Sequence, residues 1–350
     1  MRSCGTFRTD YGKDMAIIQS KTQWGFLAAF LGFLCLLPLM LAPSWLTFMN
    51  ATVITIIAVL GLNIISGMAG QFSLGQAAFV LIGAYATAIL STKADLPFLA
   101  VLPLSGLIAG LAGIVLGFSS LRLVGFYLAI TTFAFHELVV YGIRHGGDFT
   151  GGVIGIFQLP DASIAGYALD TDTKMFYLIL LVVVVLVFFS VNLARSRIGR
   201  AFEGIKQNWR ATASMGVSIF RYKLLAFFLG SAVAGLAGCL MAYYGGFVRD
   251  DMVGVFDSIW YLGMMIIGGW GSILGVIMGV VSLELVRKLV VMHGQDIASI
   301  ITFLDFDRIV PLITVIYGLL VVLFVLFMPH GLVHLWQRVK GYYRQWPLGG

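Results

Sequence analysis

The stretch MFYLILLVVVVLVFFSVNLA, Met175 to Ala194, decides the fold. It carries no charge, and as a helix it measures about 30 Å, the thickness of a bilayer's hydrocarbon core. Working outward, the chain repeats this pattern. Further apolar stretches run over 24–42, 49–69, 73–91, 97–119, 124–143, 222–244, 252–268, 272–292 and 309–328. The sum is an all-α polytopic membrane protein of about ten transmembrane helices. The pair 252–268 and 272–292 is the weakest, because its first member reaches only about 25 Å and reads equally as a short, tilted or re-entrant element. Composition agrees. Sixty per cent of the 350 residues are apolar and only 11% are charged, against about 25% charged in a soluble domain. With a mean hydropathy of +0.98, a soluble enzyme, a disordered chain and a secreted disulfide scaffold are excluded.

Lysine and arginine set the orientation. They gather in the N-terminal arm (Arg2, Arg8, Lys13, Lys21), in the loop from Arg195 to Lys223, and in the tail (Arg338, Lys340, Arg344). Ten spans place all three on one side, and the excess of cations makes that side cytoplasmic. The opposite side holds Asp148, Asp161, Asp170, Asp172, Asp250, Asp251, Asp296, Asp305 and Asp307. The chain divides into a cytoplasmic arm (1–23), a permease-like membrane domain (24–328) with a cytoplasmic loop at 195–221, and a cytoplasmic tail (329–350). Reading 24–42 as a cleaved leader is the weaker alternative, since no small-x-small site follows its long polar lead. Glycines spaced by three and four, Gly106, Gly110, Gly113 and Gly117, and again Gly271, Gly275 and Gly279, mark faces where helices approach closely. The three cysteines show no metal-ligand or disulfide spacing.

Polar groups inside apolar sequence are the candidate functional residues. In 61–79, Asn63, Gln71, Ser73 and Gln76 interrupt a span among glycines. A buried amide without a partner is costly, so these groups face protein or a water-lined path. The segment is either a tight helix–helix turn or a broken helix whose backbone meets a passing solute. Thr131, His136 and Glu137 lie in the fifth span. His136 and Glu137 point about 100° apart on a helix, so they form either separately partnered structural groups or a solute or proton path. Asp148, Thr150, Gly151 and Gly152 open the long loop on the acidic side, as a turn or as a carboxylate-binding nest. Ala201, Phe202, Ile205, Trp209, Ala213 and Val217 recur at helical spacing among basic residues. That predicts an amphipathic cytoplasmic helix, fitted equally to anionic lipid or to a groove on a soluble partner. The run Gly268-Gly269-Trp270-Gly271-Ser272 is no nucleotide loop, because the chain contains no GxxxxGK[ST].

These stretches resemble the permease subunits of branched-chain amino-acid ABC importers, of the LivM type, over roughly 48–330. Residues 61–85 read GLNxxxGxAGQxSLGxAAFxxxGAY. Residues 195–227 carry Arg-Ser-Arg-Ile-Gly-Arg-Ala, Met215-Gly216-Val217 and Arg221-Tyr222-Lys223-Leu224-Leu225-Ala226-Phe227, similar to the family's coupling loop. Residues 268–275 resemble its GGxGSxxG turn, and Thr150-Gly151-Gly152 its external TGG. Two departures stand out: Asn208 and Trp209 where the coupling loop usually has acidic residues, and Val153-Ile154-Gly155 after the TGG. The resemblance implies a membrane-spanning subunit of an ATP-driven importer of hydrophobic amino acids in a bacterial inner membrane. It implies a second homologous permease, two cytoplasmic ATPases and an external binding protein as partners. ATP and Mg would sit on the ATPases, with no cofactor and no catalytic or metal-ligating residue here. Coupling would fall to Arg200, Phe202, Glu203, Ile205, Arg210, Ala211 and Gly216. An importer of urea or short amides shares this architecture. A proton-driven secondary transporter using His136, Glu137 and Glu284 is the more distant rival.

Overall fold

The computed structural model describes residues 21–120, 123, 125–164, 167–292 and scattered positions from 318 to 338. The expected span at 309–328 falls mostly outside them, as do the arm at 1–20 and most of the tail. The helices are α1 (Lys21–Met40), α2 (Pro43–Leu62), α3 (Gln76–Thr92), α4 (Phe98–Ser120), α5 (Phe126–Arg144), α6 (Asp172–Arg195), α7 (Arg197–Ser214), α8 (Ile219–Gly245), α9 (Val255–Gly268) and α10 (Ile273–Met292). A π-helical turn, Asn63–Met68, extends α2. The only strands among the described residues are two-residue pairs. β1 (Ile156–Phe157) pairs antiparallel with β4 (Phe247–Val248), and β2 (Ser163–Ile164) with β3 (Tyr167–Ala168).

Among the described residues, five segments are long and apolar enough to cross a bilayer alone: Pro43–Met68, Phe98–Ser119, Phe126–Arg144, Asp172–Arg195 and Ile219–Gly245. The expected count of about ten is not reached among the described residues, which show five such helices, or six with the bent pair taken as one span. The third expected span, 73–91, becomes a 17-residue helix preceded by non-helical 69–75. The weak pair is a broken element, its halves α9 and α10 bent by 117°. The break sits at Gly269 and Gly271, whose φ values of +128° and +82° suit only glycine.

Helix α8 packs against α2, α3 and α4. The expected stripe on α4 faces it: Gly106, Gly110, Gly113 and Gly117 lie against Leu236, Phe228, Ser231 and Leu224. Gly83 of α3 meets Gly235, and Gly61 of α2 meets Gly230, so backbones touch where lipid offers no other reason to associate. The second stripe divides: Gly275 and Gly279 pack on Gly268 and Met264, whereas Gly271 sits in the break, against Gly67.

The helices share two ends. At one, Asp172 accepts from Thr47 Oγ1 (3.2 Å) and its carbonyl from Asn50 Nδ2 (3.1 Å), joining the starts of α6 and α2. The same end carries three ion pairs, Arg144–Asp250 (2.5 Å), Lys174–Asp170 (2.6 Å) and Arg249–Asp251 (2.9 Å), which neutralise those three cations locally. The Lys174 ammonium holds the Asp170 carboxyl below the usual carboxylate range. The other end carries α7 with Arg195, Arg197, Arg200, Lys206 and Arg210, and is basic.

Candidate functional site

The polar residues of 61–79 form a re-entrant segment. After the π-helical turn the chain doubles back through 69–75, with Gly70 at φ +67°. Gln76 Nε2 then donates to Ala58 O at 2.9 Å. Ala58 lies ten residues, roughly 15 Å, inside the basic end of its span. Helix α3 thus starts within the membrane. Free N–H groups just before and within its first turn find side-chain acceptors on other helices: Leu74 N donates to Thr132 Oγ1 (2.8 Å) and Ala77 N to Ser258 Oγ (2.9 Å). Ser73 Oγ accepts from Gly75 N (3.3 Å), and Gln71 Nε2 donates to Ala69 O (3.2 Å). Asn63, Ser73 and Gln76 are fully buried and Gln71 nearly so. Neither amide atom of Asn63, nor Gln76 Oε1, meets a partner among the described residues. The segment is a break between two helices with a tight turn at Gly70, and its unmatched amides are donors and acceptors that water or a polar solute can use.

The fifth-span candidates separate. His136 is 1% exposed and faces the interior, and its Nδ1 meets no described partner. Glu137 faces outward from the chain, so the two lie on different faces of α5. Thr131 is half-buried and donates to its own helix, at Tyr127 O (3.0 Å). Its neighbour Thr132, which sequence reasoning passed over, is fully buried and makes the inter-helix bond to Leu74. The signal was present in the helical period: Thr132 and His136 are four apart and share one face.

The basic-end helix is built in two halves. Ser196 caps its start, accepting from Ile198 N (3.1 Å) and Gly199 N (3.2 Å). Asn208 leaves the helical region (φ −158°, ψ 97°) and its Oδ1 caps a second short helix through Arg210 N (3.1 Å) and Ala211 N (3.2 Å). The single amphipathic helix expected through Val217 is therefore corrected to an anchored half and a projecting half. Ala201, Phe202 and Ile205 are buried in the chain's own core, with Phe202 edge-on to Tyr222. Phe202 and Ile205 thus hold the helix in place, and a charge at either would be buried within this chain. Arg200 and Glu203 are exposed, Glu203 engaged by Lys206 (3.8 Å) and Gln207 (3.1 Å). Beyond Asn208, Trp209, Arg210, Ala211, Met215 and Gly216 all face outward, Met215 at 85% exposure.

Lys206 links the two regions, and sequence reasoning gave it no special role. Its stem lies against Gly70, its Nζ beside Gly271. Trp270 Nε1 donates to Ser66 O (3.0 Å), and its ring stacks on Phe72 at 6.1 Å. The π-helical turn, the re-entrant segment, the α9–α10 break and α7 thus meet at one place.

On the acidic side, Thr150 Oγ1 donates to Ile143 O (2.6 Å) and accepts from Gly152 N (3.4 Å), while Gly151 N donates to Gly147 O (3.0 Å). Lys93 Nζ donates to the carbonyls of Asp148 (2.5 Å) and Phe149 (3.1 Å). With both glycine N–H groups engaged locally, the turn reading of this loop holds over the carboxylate nest.

The family model described as "Branched-chain amino acid transport system / permease component" matches residues 44–329. The chain is 36% identical to the high-affinity branched-chain amino acid transport system permease protein LivM of Salmonella typhimurium, over 75% of this chain and 68% of that one. It is 37% identical to the LivM protein of Escherichia coli, with the same coverage. A probable branched-chain amino acid transport permease protein LivM of Methanocaldococcus jannaschii is 26% identical, over 78% of this chain and 88% of that one. No solved structure matches the chain. A lipid-length helical bundle, a re-entrant polar segment facing an anchored basic-end helix, and a family match across most of the sequence lead to one conclusion: this chain is an integral membrane protein of the branched-chain amino-acid transport permease family.

Proposed function

We propose that this chain is a permease subunit of an ATP-driven importer of branched-chain amino acids, with its basic end in the cytoplasm. Residues 209–216 dock on a separate ATPase, which binds the ATP and Mg. Movement there passes across the Asn208 junction to the anchored half of α7 and through Lys206 to Gly70 and Gly271, and so to the re-entrant segment and the α9–α10 break. The observation that carries this reading is the two-part helix: one half fixed by buried Phe202 and Ile205, the other presenting Trp209, Arg210 and Met215 to solvent. An element with one half anchored and the other free suits the transmission of a partner's closure. A second permease covers α5, whose outward face sets Glu137 among Phe133, Leu138 and Tyr141. A charge facing lipid near mid-membrane would cost about 2.5–3.5 kcal/mol or more. An external binding protein delivers the substrate to the acidic end. The test is uptake by the complete transporter in proteoliposomes. Arg210→Glu with Met215→Glu is expected to abolish ATP-driven leucine uptake and ATPase co-purification while leaving the permease folded. Unchanged uptake and co-purification would contradict docking at 209–216, and uptake of urea in place of leucine would contradict the substrate.

A further inference from the structure

A cavity of about 520 Å³ lies between α2, α3, α8, α9 and α10, on the acidic-end side of the re-entrant segment. Ala58 of α2 and Val80 of α3 line it, and Gln76, one turn before Val80, donates to Ala58 O. Its volume falls within the usual range for small-molecule sites, roughly 300–1,000 Å³. The rest of the lining is mixed in a definite way. Glu284 is 8% exposed, and its one described ion pair is to Arg287, at 3.7 Å. No hydrogen bond reaches its carboxylate among the described residues. Asp257 faces the same space and accepts from Gly254 N at 2.7 Å. Tyr261 is 9% exposed, and Trp260 and Met264 add an aromatic and a soft apolar surface.

We infer that this cavity is a transient binding site for a zwitterionic amino acid with an apolar side chain, on the path through the membrane. Asp257 and Glu284 receive the α-ammonium, Arg287 the α-carboxylate, and Trp260 and Met264 the side chain. The inference rests on the permease reading above and adds to it the place where substrate pauses. Charge composition decides the ligand class. A lipid tail has no use for two carboxylates and a guanidinium, and urea carries no charge for them to meet. A zwitterion needs a group of each sign within reach of one place: Arg287, its side chain 64% exposed, stands at the mouth beside buried Glu284, and an apolar amino acid needs a greasy wall beside them. The position suits alternating access. Val80, one turn into α3, lines the cavity, and the segment leading into that helix touches Lys206 of α7, so a movement at the basic end has a route to the cavity wall through α3.

The experiment uses the complete transporter in nanodiscs and photo-leucine, the diazirine analogue of leucine, as probe, with adducts mapped by peptide mass spectrometry. Leucine uptake by the same complex in proteoliposomes is measured in parallel. The expected result is labelling within 252–264, suppressed by excess leucine and not by urea. Arg287→Gln is expected to cut it about tenfold or more, and Arg287→Lys to restore part of it. Intact uptake with adducts only outside the cavity would overturn this site and leave the permease reading standing. Absence of uptake of leucine, isoleucine and valine by the wild-type complex would overturn the reading on which the site rests.

Discussion

Thr131 and Thr132 are neighbours of identical chemistry, and the fold gives them different work. Thr132 Oγ1 accepts the N–H of Leu74 from another segment in a fully buried position, whereas Thr131 is satisfied by its own helix. Thr132→Val keeps the shape and orphans a buried donor, at a cost of about 1–3 kcal/mol. The purified permease should lose several degrees of thermal midpoint with Thr132→Val and almost none with Thr131→Val; equal effects would contradict the assignment. Sequence reading put Asn63, Gln71, Ser73 and Gln76 in protein rather than lipid, because the desolvation penalty of an amide is independent of the details of the fold. It favoured Thr131 over Thr132 because choosing between adjacent hydroxyls needs the rotational phase of the helix. Lys206 escaped notice for a similar reason. On a surface helix rich in cations, only the tertiary position of Gly70 and Gly271 distinguishes one lysine from the rest.

Lengths and faces of the continuous helices were legible. The run 175–194 lies within α6 and the run 222–244 within α8, since unbroken apolar length has one stable outcome in lipid. The broken elements were less so. Residues 73–91 are apolar enough for a full span, yet Leu74 and Ala77 find acceptors on α5 and α9 that let the helix start deep inside. Helical periodicity likewise ran straight through Asn208, where a side-chain cap divides α7. Asn208→Ala should remove that cap, cost about 1 kcal/mol, and let the two halves fuse. Residues 209–214 would then be re-aimed. The expected outcome is normal membrane abundance, with ATP hydrolysis by the complete transporter no longer matched by leucine uptake. Full coupling in this variant would show that the division of α7 carries no function.

At the scale of the whole molecule, the two ends differ in chemistry. One gathers aspartates that neutralise their own cations, the other exposes arginine and lysine along α7. Both this polarity and the alternation of helices follow from charge and span order, which is why they could be read without coordinates. The cavity between α2, α9 and α10 could not, because Asp257, Glu284 and Arg287 meet only through the 117° bend. The central claim is that the exposed half of α7 is a cytosolic docking elbow on a membrane-embedded permease. Its most direct test is Met215→Cys, in a background with Cys4 and Cys35 replaced by serine, labelled with a membrane-impermeant maleimide. Labelling is expected in inverted vesicles only, and blocked when the ATPase is bound. Labelling in intact cells, or labelling indifferent to the ATPase, would contradict it.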